Sequence, residues 1–481
     1  MPDSPPPGRL IVLSNRLPKG DVPAGGLVFA LHEALEVSGG TWIGAADPSI
    51  AIDDTLIPIG SGAYDKMTFS LTPAEHRGFY FGYSNSVLWP IFHHRSDLLK
   101  VRNTDFRAYA AVNARVARAI AAIIEPDDMI WIHDYHFLMV ASELRKLGIG
   151  NRIGLFLHIP FPNATDVMAL PEGNLLPEWL AAHDVVGVQT TRDVVAALEV
   201  MRQDRRSQML NDGSWVRDGR VFTIRNFAIG IDATGFAETA AASPPPELLL
   251  DPRAPLLIGV DRLDYSKGLV HRFEAFGEYL ARRPDPSMRP TFLQIAPVSR
   301  EDVSAYQDIR EDLERTSGSI NGAHADLDWT PIRYVRRHID RDVIASLYRR
   351  ADVALVTPLA DGMNLVAKEF VAAQDPDDPG VLILSRFAGA SEQMKAALLV
   401  NPFDTGTFAA AIETALTMPL AERRQRHAKL RRTVFEKDVA WWTRSFLSRL
   451  SGAPLSYEMY LRGAEGAVDA EKETAESETD T

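Results

Sequence analysis

Cysteine is absent from all 481 residues of the chain. That excludes disulfides, zinc–thiolate sites, iron–sulfur clusters and a cysteine nucleophile, and the simplest reading is a cytoplasmic protein. Long hydrophobic runs are also absent. No stretch reaches the ~18 uninterrupted apolar residues of a membrane span, and the proline-rich start from Met1 to Arg9 has no apolar core of a secretory signal. Positive charge is in deficit: 51 Lys and Arg stand against 64 Asp and Glu, a net charge of −13. That is the wrong balance for general nucleic-acid binding. Part of it is local, because residues 463–481 are rich in Ala, Glu, Asp and Thr without an aromatic, the composition of a disordered acidic tail. No internal repeat with a period of 20–50 residues is found. An acidic protein that binds anionic ligands must gather its arginines and lysines in one cleft.

The composition that is present, 46% apolar and 24% charged, is that of an ordinary globular protein, and the length suits two domains of roughly 200–250 residues. Short, continuous apolar runs recur at Leu10–Ser14, Met129–Ile132, Ile153–Leu157, Val185–Val188, Leu256–Val260, Phe292–Ile295, Val353–Val356 and Val381–Leu384. Such runs mark parallel strands buried on both faces. Amphipathic stretches such as Ala108–Ile124 and Arg341–Arg350 alternate with them, so the expected class is α/β. A proline-rich segment, Ala242–Pro255, divides the chain. The expected organisation is a disordered leader (1–8), a first Rossmann-like domain (9–241), a linker (242–255), a second Rossmann-like domain (256–462) whose last helix packs back on the first, and the tail. Ligands of open α/β sheets lie outside the carboxyl ends of the strands, so two facing halves would enclose a cleft.

Four constellations sit where that cleft should be. Ser14-Asn15-Arg16 follows the first strand, and Gly25-Gly26 opens a helix soon after. Glycines there let backbone N–H groups approach an anion, and Arg16 can grip a phosphate; the alternative is a tight turn with a surface arginine. Trp131-Ile132-His133-Asp134-Tyr135-His136 ends another strand. It places a carboxylate between two histidines, unless Asp134 merely caps the following helix. His158 ends the next strand and serves either a site or the local structure. In Val260–Gly268, Arg262 and Lys267 lie five apart on a turn and can hold a diphosphate between them; the alternative is a surface ion network with Asp261 and Asp264. In Thr357–Glu369, the turn Asp361-Gly362-Met363-Asn364 leads into a helix whose free N–H groups can bind hydroxyls or an anion. Leu365 and Glu369 share a face of that helix, and Glu369 can take a diol, unless it is simply exposed. Asp326 and Asp328 form an unspecific Asp-x-Asp pair, and no metal is expected. Tyr80 and Trp89 belong to an aromatic cluster that suits either a core or a sugar pocket.

Together these stretches resemble the retaining trehalose-6-phosphate synthase family of two-domain GT-B glycosyltransferases, from about Arg9 to about Arg449. The matching runs are SNR (14–16), GG (25–26), NSVLWP (85–90), WIHDYH (131–136), LHIPFP (157–162), VDRLDYSKG (260–268), QIAPVSR (294–300) and TPLADGMNLVAKEFVAAQD (357–375). The resemblance implies transfer of glucose from UDP-glucose to glucose 6-phosphate, with no cofactor or metal, no nucleic acid or membrane, and an oligomeric state left open. It implies that Arg16, Tyr80, Trp89, Asp134 and Arg300 form the acceptor pocket. It assigns Gly25, Gly26, Arg262, Lys267, Asp361, Gly362, Met363, Asn364, Leu365 and Glu369 to the donor site, with Arg262, Lys267, His158 and Asp361 at the reacting centre. Two positions depart from the family pattern: Ala45 stands where a second tryptophan normally follows Gly44, and Ala228 where proline is usual. The first lies beside the implied acceptor pocket. The family therefore leaves two rivals, a sister enzyme with another acceptor such as glycerol 3-phosphate, and a catalytically silent homologue that only binds sugar phosphate.

Overall fold

The computed structural model describes residues 8–18, 26–46, 55–244, 254–298 and 304–452. Two sheets organise them. The first contains β1 (Leu10–Leu13), β2 (Thr41–Ala45), β3 (Ile57–Gly60), β4 (Asp65–Phe69), β5 (Met129–His133), β6 (Arg152–Phe156), β7 (Val185–Val188), β8 (Ser207–Met209), β9 (Trp215–Arg217) and β10 (Arg220–Asn226). Their spatial order is β3-β4-β2-β1-β5-β6-β7-β10-β9-β8. The central strands are parallel and buried end to end, as the uninterrupted apolar runs LIVL and VVGV require. The edges differ from the all-parallel expectation: β3 runs antiparallel to β4, and β9 antiparallel to β10 and β8. An edge strand is covered on fewer sides, so it can alternate with polar residues or carry Pro58, which a central ladder would not accept.

The second sheet contains β11 (Leu256–Val260), β12 (Thr291–Ile295), β13 (Ile332–Val335), β14 (Val353–Val356), β15 (Val381–Ser385) and β16 (Leu398–Val400). All pairs are parallel, in the order β13-β12-β11-β14-β15-β16. The direction of winding reverses between β11 and β14, the position where doubly wound sheets open a crevice. In the first sheet the corresponding reversal lies between β1 and β5. The α/β class and the two parallel-sheet halves expected from strand–helix alternation are therefore present.

The chain crosses between the halves twice. Helix Ala233–Ala242 leaves the end of the first sheet, and helix Val439–Leu450 returns to it. Asp438 starts the returning helix by accepting from Trp441 N at 2.7 Å. Its Phe446 ring stacks on Trp131 at 4.7 Å, and Trp442 lies 5.0 Å from the same indole. A side chain at Gly154 or Gly187 would collide with Phe446, so the sheet leaves a groove for it. Most of the expected leader, most of the linker and the acidic tail lie outside the described residues.

Candidate active site

The first sheet presents the loop after β1 to the cleft. Ser14 Oγ donates to the Arg16 carbonyl at 2.8 Å and accepts from the buried Trp42 indole at 2.8 Å. Arg16 thus leaves the sheet on a braced turn, and its Nη2 donates to Tyr80 Oη at 3.1 Å. Tyr80 belongs to an unusual element, a π-helix over His76–Leu88. Such helices widen the turn and recur at functional sites. Side chains support the loosened backbone: Asn85 Nδ2 donates to the Tyr80 carbonyl at 2.8 Å, and Tyr135 Oη donates to Asn85 Oδ1 at 2.9 Å. The Tyr80 ring is sandwiched between His76 at 5.2 Å and His136 at 5.9 Å, both within 10° of parallel.

At the end of β5, Asp134 adopts φ 70°, ψ 175°, a region open essentially to glycine and worth about 1–3 kcal/mol of strain. The alternative role as a helix cap is corrected here: Asp134 makes no capping bond to the short helix after it. Its Oδ1 instead accepts from the His158 backbone N–H at 3.3 Å, joining the ends of β5 and β6. His158 Nε2 lies 3.0 Å from Nδ1 of the buried His133. Burial pushes His158 down to about 3 and His133 well below the ordinary imidazole range, so both rings are neutral at pH 7.

In the second half, Gly268 closes the turn after β11 in the left-handed region, φ 65°. A Cβ there would stand 2.3 Å from the Thr357 carbonyl, so glycine is what lets the loops after β11 and β14 touch. Across that contact Lys267 Nζ pairs with Asp361 Oδ2. Asn364, at φ 73° and ψ 90°, donates from Nδ2 to the same carboxylate oxygen at 3.1 Å. It precedes helix Leu365–Ala373 without capping it. The first N–H groups of that helix therefore receive no side-chain cap from the residue ahead of them. Gly362 sits so close to the first half that a Cβ would come within 2.2 Å of the His158 carbonyl. Met363 is buried and Leu365 half-buried beneath the turn. Burial raises Glu369 above the usual carboxylate range, against the pull of Arg341.

The loop from Asp261 to Lys267 rests on a residue that sequence reasoning missed. Arg272 is fully buried and donates to Asp261 Oδ2 at 2.9 Å, Thr357 Oγ1 at 3.1 Å, Gln294 Oε1 at 2.9 Å and the Lys267 carbonyl at 3.3 Å. One guanidinium thus ties together the ends of β11, β12 and β14. The alternative of a surface ion network is also corrected: Asp261 and Asp264 are buried, the first on Arg272 and the second accepting from Ser266 N–H and Tyr306 Oη. Asp326 and Asp328 instead share Arg289 on an exposed turn, at 3.0 and 2.8 Å.

A cavity of about 240 Å³ lies where the halves meet, lined by Ser14, Arg16, Trp42, Tyr80, Trp89, His133, Asp134, His136 and Arg262 among others. The Arg262 guanidinium, from the second half, hangs 5.7 Å from the centre of the Trp89 ring of the first. Trp89 is held by the buried His93, which stacks on it at 4.0 Å and donates from Nδ1 to the Trp89 carbonyl at 2.8 Å. A clasp closes the interface further along: Glu392 accepts from the backbone N–H groups of Thr191 at 2.9 Å and Arg192 at 3.2 Å, the first residues of helix Thr191–Gln203. The fold thus gathers Arg16, Tyr80, Trp89, Asp134 and Arg262 on one cavity, and Lys267, Asp361 and Asn364 in one cluster beside it. Gly26 opens helix Gly26–Ser38. Gly25 and Arg300 lie outside the described residues.

Residues 18–452 match the model of glycosyltransferase family 20. Trehalose-6-phosphate synthase of Cronobacter sakazakii is 44% identical over 453 residues, covering 92% of this chain and 95% of that protein. The corresponding protein of Citrobacter koseri is 43% identical over 463 residues, with 95% and 98% covered. Among solved structures, an Escherichia coli protein bound with UDP-2-fluoro glucose superposes with a TM-score of 0.88 at 43% identity, covering 92% of this chain and 99% of that one. The UDP-forming α,α-trehalose-phosphate synthase of Burkholderia xenovorans, in complex with glucose 6-phosphate, gives 0.86 at 42% identity, with 92% and 100% covered.

Proposed function

Because this chain belongs to glycosyltransferase family 20, with the two facing Rossmann-like halves of a GT-B enzyme, we propose that it transfers glucose from UDP-glucose to glucose 6-phosphate, giving α,α-trehalose 6-phosphate and UDP. The observation that carries the reading is the shared cavity. It puts an arginine–tyrosine pair, a strained carboxylate and a tryptophan of one half under an arginine of the other. Relatives covering nearly the whole chain are named for this reaction.

In this reading Arg16, with Tyr80 and Arg300, takes the acceptor phosphate by charge-assisted hydrogen bonds. Asp134 accepts from acceptor hydroxyls, and Trp89 forms the wall. Fixing the phosphate orients the anomeric hydroxyl. Glu369 takes the ribose diol, while the open N-terminus of helix Leu365–Ala373, preceded by Asp361, Gly362, Met363 and Asn364, faces the donor. Gly25 and Gly26 allow close approach of the backbone to the diphosphate. His158 stands beside the donor glucose. The glucosyl C1–O bond to the diphosphate breaks and a bond from C1 to the acceptor oxygen forms on the same face. A diphosphate oxygen receives the acceptor proton, so the configuration is retained without a covalent protein intermediate. Lys267 passes from Asp361 to the leaving diphosphate and acts there with Arg262, supplying the positive charge that a metal supplies in other enzymes. No cofactor is required, and the cysteine-free composition suits a cytoplasmic setting.

One observation favours a second acceptor. Ala45 lies next to the Arg16 turn, its N–H directed at the Asn15 carbonyl at 3.4 Å, where the family pattern has a much larger side chain. UDP release measured with glucose 6-phosphate and with glycerol 3-phosphate decides between them. A higher kcat/KM for glucose 6-phosphate is expected, and preference for glycerol 3-phosphate overturns the acceptor assignment.

A further inference from the structure

The two neutral imidazoles at the ends of β5 and β6 share one hydrogen. Nδ1 of His133 and Nε2 of His158 are 3.0 Å apart, and the rings are nearly parallel, 26° between planes. One nitrogen donates and the other accepts, so the pair has two arrangements. If His158 donates, His133 must carry its remaining hydrogen on Nε2. If His133 donates from Nδ1, its Nε2 is bare.

The surroundings of His133 discriminate. Its side chain is fully buried, and Nε2 has no hydrogen-bond partner. Trp131 and Trp442 enclose the ring at 4.5 and 6.3 Å, and their indole nitrogens are likewise buried without partners. Those indoles are donors only. An Nε2–H would add a third buried donor with no acceptor within hydrogen-bond reach among the described residues. A bare nitrogen leaves only a lone pair unsatisfied. Orphaned buried N–H groups are the rarer and costlier defect.

Resting on the donor-site reading of His158, we propose that His133 is a positioning residue. By donating Nδ1–H to His158 Nε2 it locks His158 in the Nδ1–H tautomer, and so makes it a hydrogen-bond donor to an oxygen of the bound nucleotide sugar. Nδ1 of His158 has no hydrogen-bond partner among the described residues, so it is available for that contact. The packing supports the assignment: the His158 ring is also held by Phe156 at 4.7 Å and Trp442 at 6.0 Å, so it cannot turn to exchange its nitrogens without repacking. Free histidine favours the opposite tautomer; a second residue is needed to impose this one.

The test is long-range proton–nitrogen correlation NMR on the full chain labelled with nitrogen-15 histidine, with the His158 signals identified by their loss in His158→Gln. The expected pattern is a protonated Nδ1 and a bare Nε2 for His158, in the free protein and with UDP bound. His133→Phe keeps a ring but removes the donor. It should shift His158 to the Nε2–H pattern and lower kcat/KM for UDP-glucose by roughly 2–13-fold, the worth of one neutral hydrogen bond, with UDP affinity unchanged. His133→Asn, whose amide can donate from nearly the same place, should restore the Nδ1–H pattern and part of the lost kcat/KM. A protonated Nε2 on His158 in the unmodified protein overturns the proposal, as does an unchanged tautomer in His133→Phe. The tautomer is read without turnover, so a mistaken acceptor or donor would leave this result standing.

Discussion

Replacing Lys267 by methionine removes one positive charge from the cleft and strips Asp361 of its ion-pair partner, two effects that a double mutant separates. Both side chains are 13% exposed, so the pair is largely shielded, and among the described residues the Asp361 carboxylate would retain the Asn364 amide at 3.1 Å. Loss of a hydrogen bond to a charged group costs about 1.5–3 kcal/mol, which for a domain of this size lowers Tm by roughly 3–12 °C. The catalytic effect has another origin: charge that develops on the leaving diphosphate loses a donor, a loss of about 10²–10³ in kcat. In Lys267→Met with Asp361→Asn, no charge is left unpaired. Tm should recover most of its fall while kcat stays low, so the pair couples in stability and not in turnover. Scanning calorimetry and UDP-release kinetics on the four proteins give the cycle. Recovery of kcat in the double variant would show that Lys267 acts only by holding Asp361, and near-normal kcat in Lys267→Met would remove it from the reaction.

Arg16→Ala should raise KM for glucose 6-phosphate by roughly 10–150-fold, the value of a charged hydrogen bond, and leave KM for UDP-glucose nearly unchanged; steady-state kinetics with each substrate varied in turn reads both. Glu369 is half-buried, and the desolvation of its carboxyl raises it above the usual carboxylate range, so its folded form holds the proton more tightly than the unfolded chain. Ionised Glu369 therefore costs stability above its folded pKa, and that cost fades as pH falls toward it. Glu369→Gln should accordingly raise Tm at pH 8, flatten this part of the pH dependence, and weaken UDP binding measured by calorimetry. Activity should survive EDTA; full loss that manganese or magnesium restores would return metal chemistry to the account.

Which parts of this were legible in the chain follows from the range of each interaction. Buried parallel strands such as VVGV and VALV announce themselves because burial on both faces removes alternation. The turn that carries Arg16, and the Asp361–Glu369 segment, are local and stand where strand ends must face a ligand. Trp42 bracing Ser14 across 28 residues, or Arg272 joining three strand ends, depends on which strands become neighbours. No spacing rule reports that. Asp134 illustrates the limit well. An aspartate before a short helix reads as a cap, yet its backbone adopts a glycine-like conformation that turns the carboxylate toward His158 N–H. Only the junction of β5 and β6 imposes that geometry. The π-helix was hidden for a similar reason: FYFGY is aromatic enough for a core, and the widened turn depends on Asn85 reaching back five residues.

The central claim, glucosyl transfer to glucose 6-phosphate with retention across the cavity between Arg16 and Arg262, is tested most directly by proton NMR of the reaction as it runs. Incubation of the protein with UDP-glucose and glucose 6-phosphate should produce UDP and, in equal amount, a disaccharide phosphate in which both anomeric centres are α. A β linkage would contradict the same-face mechanism, and consumption of UDP-glucose that leaves glucose 6-phosphate untouched would contradict the acceptor pocket.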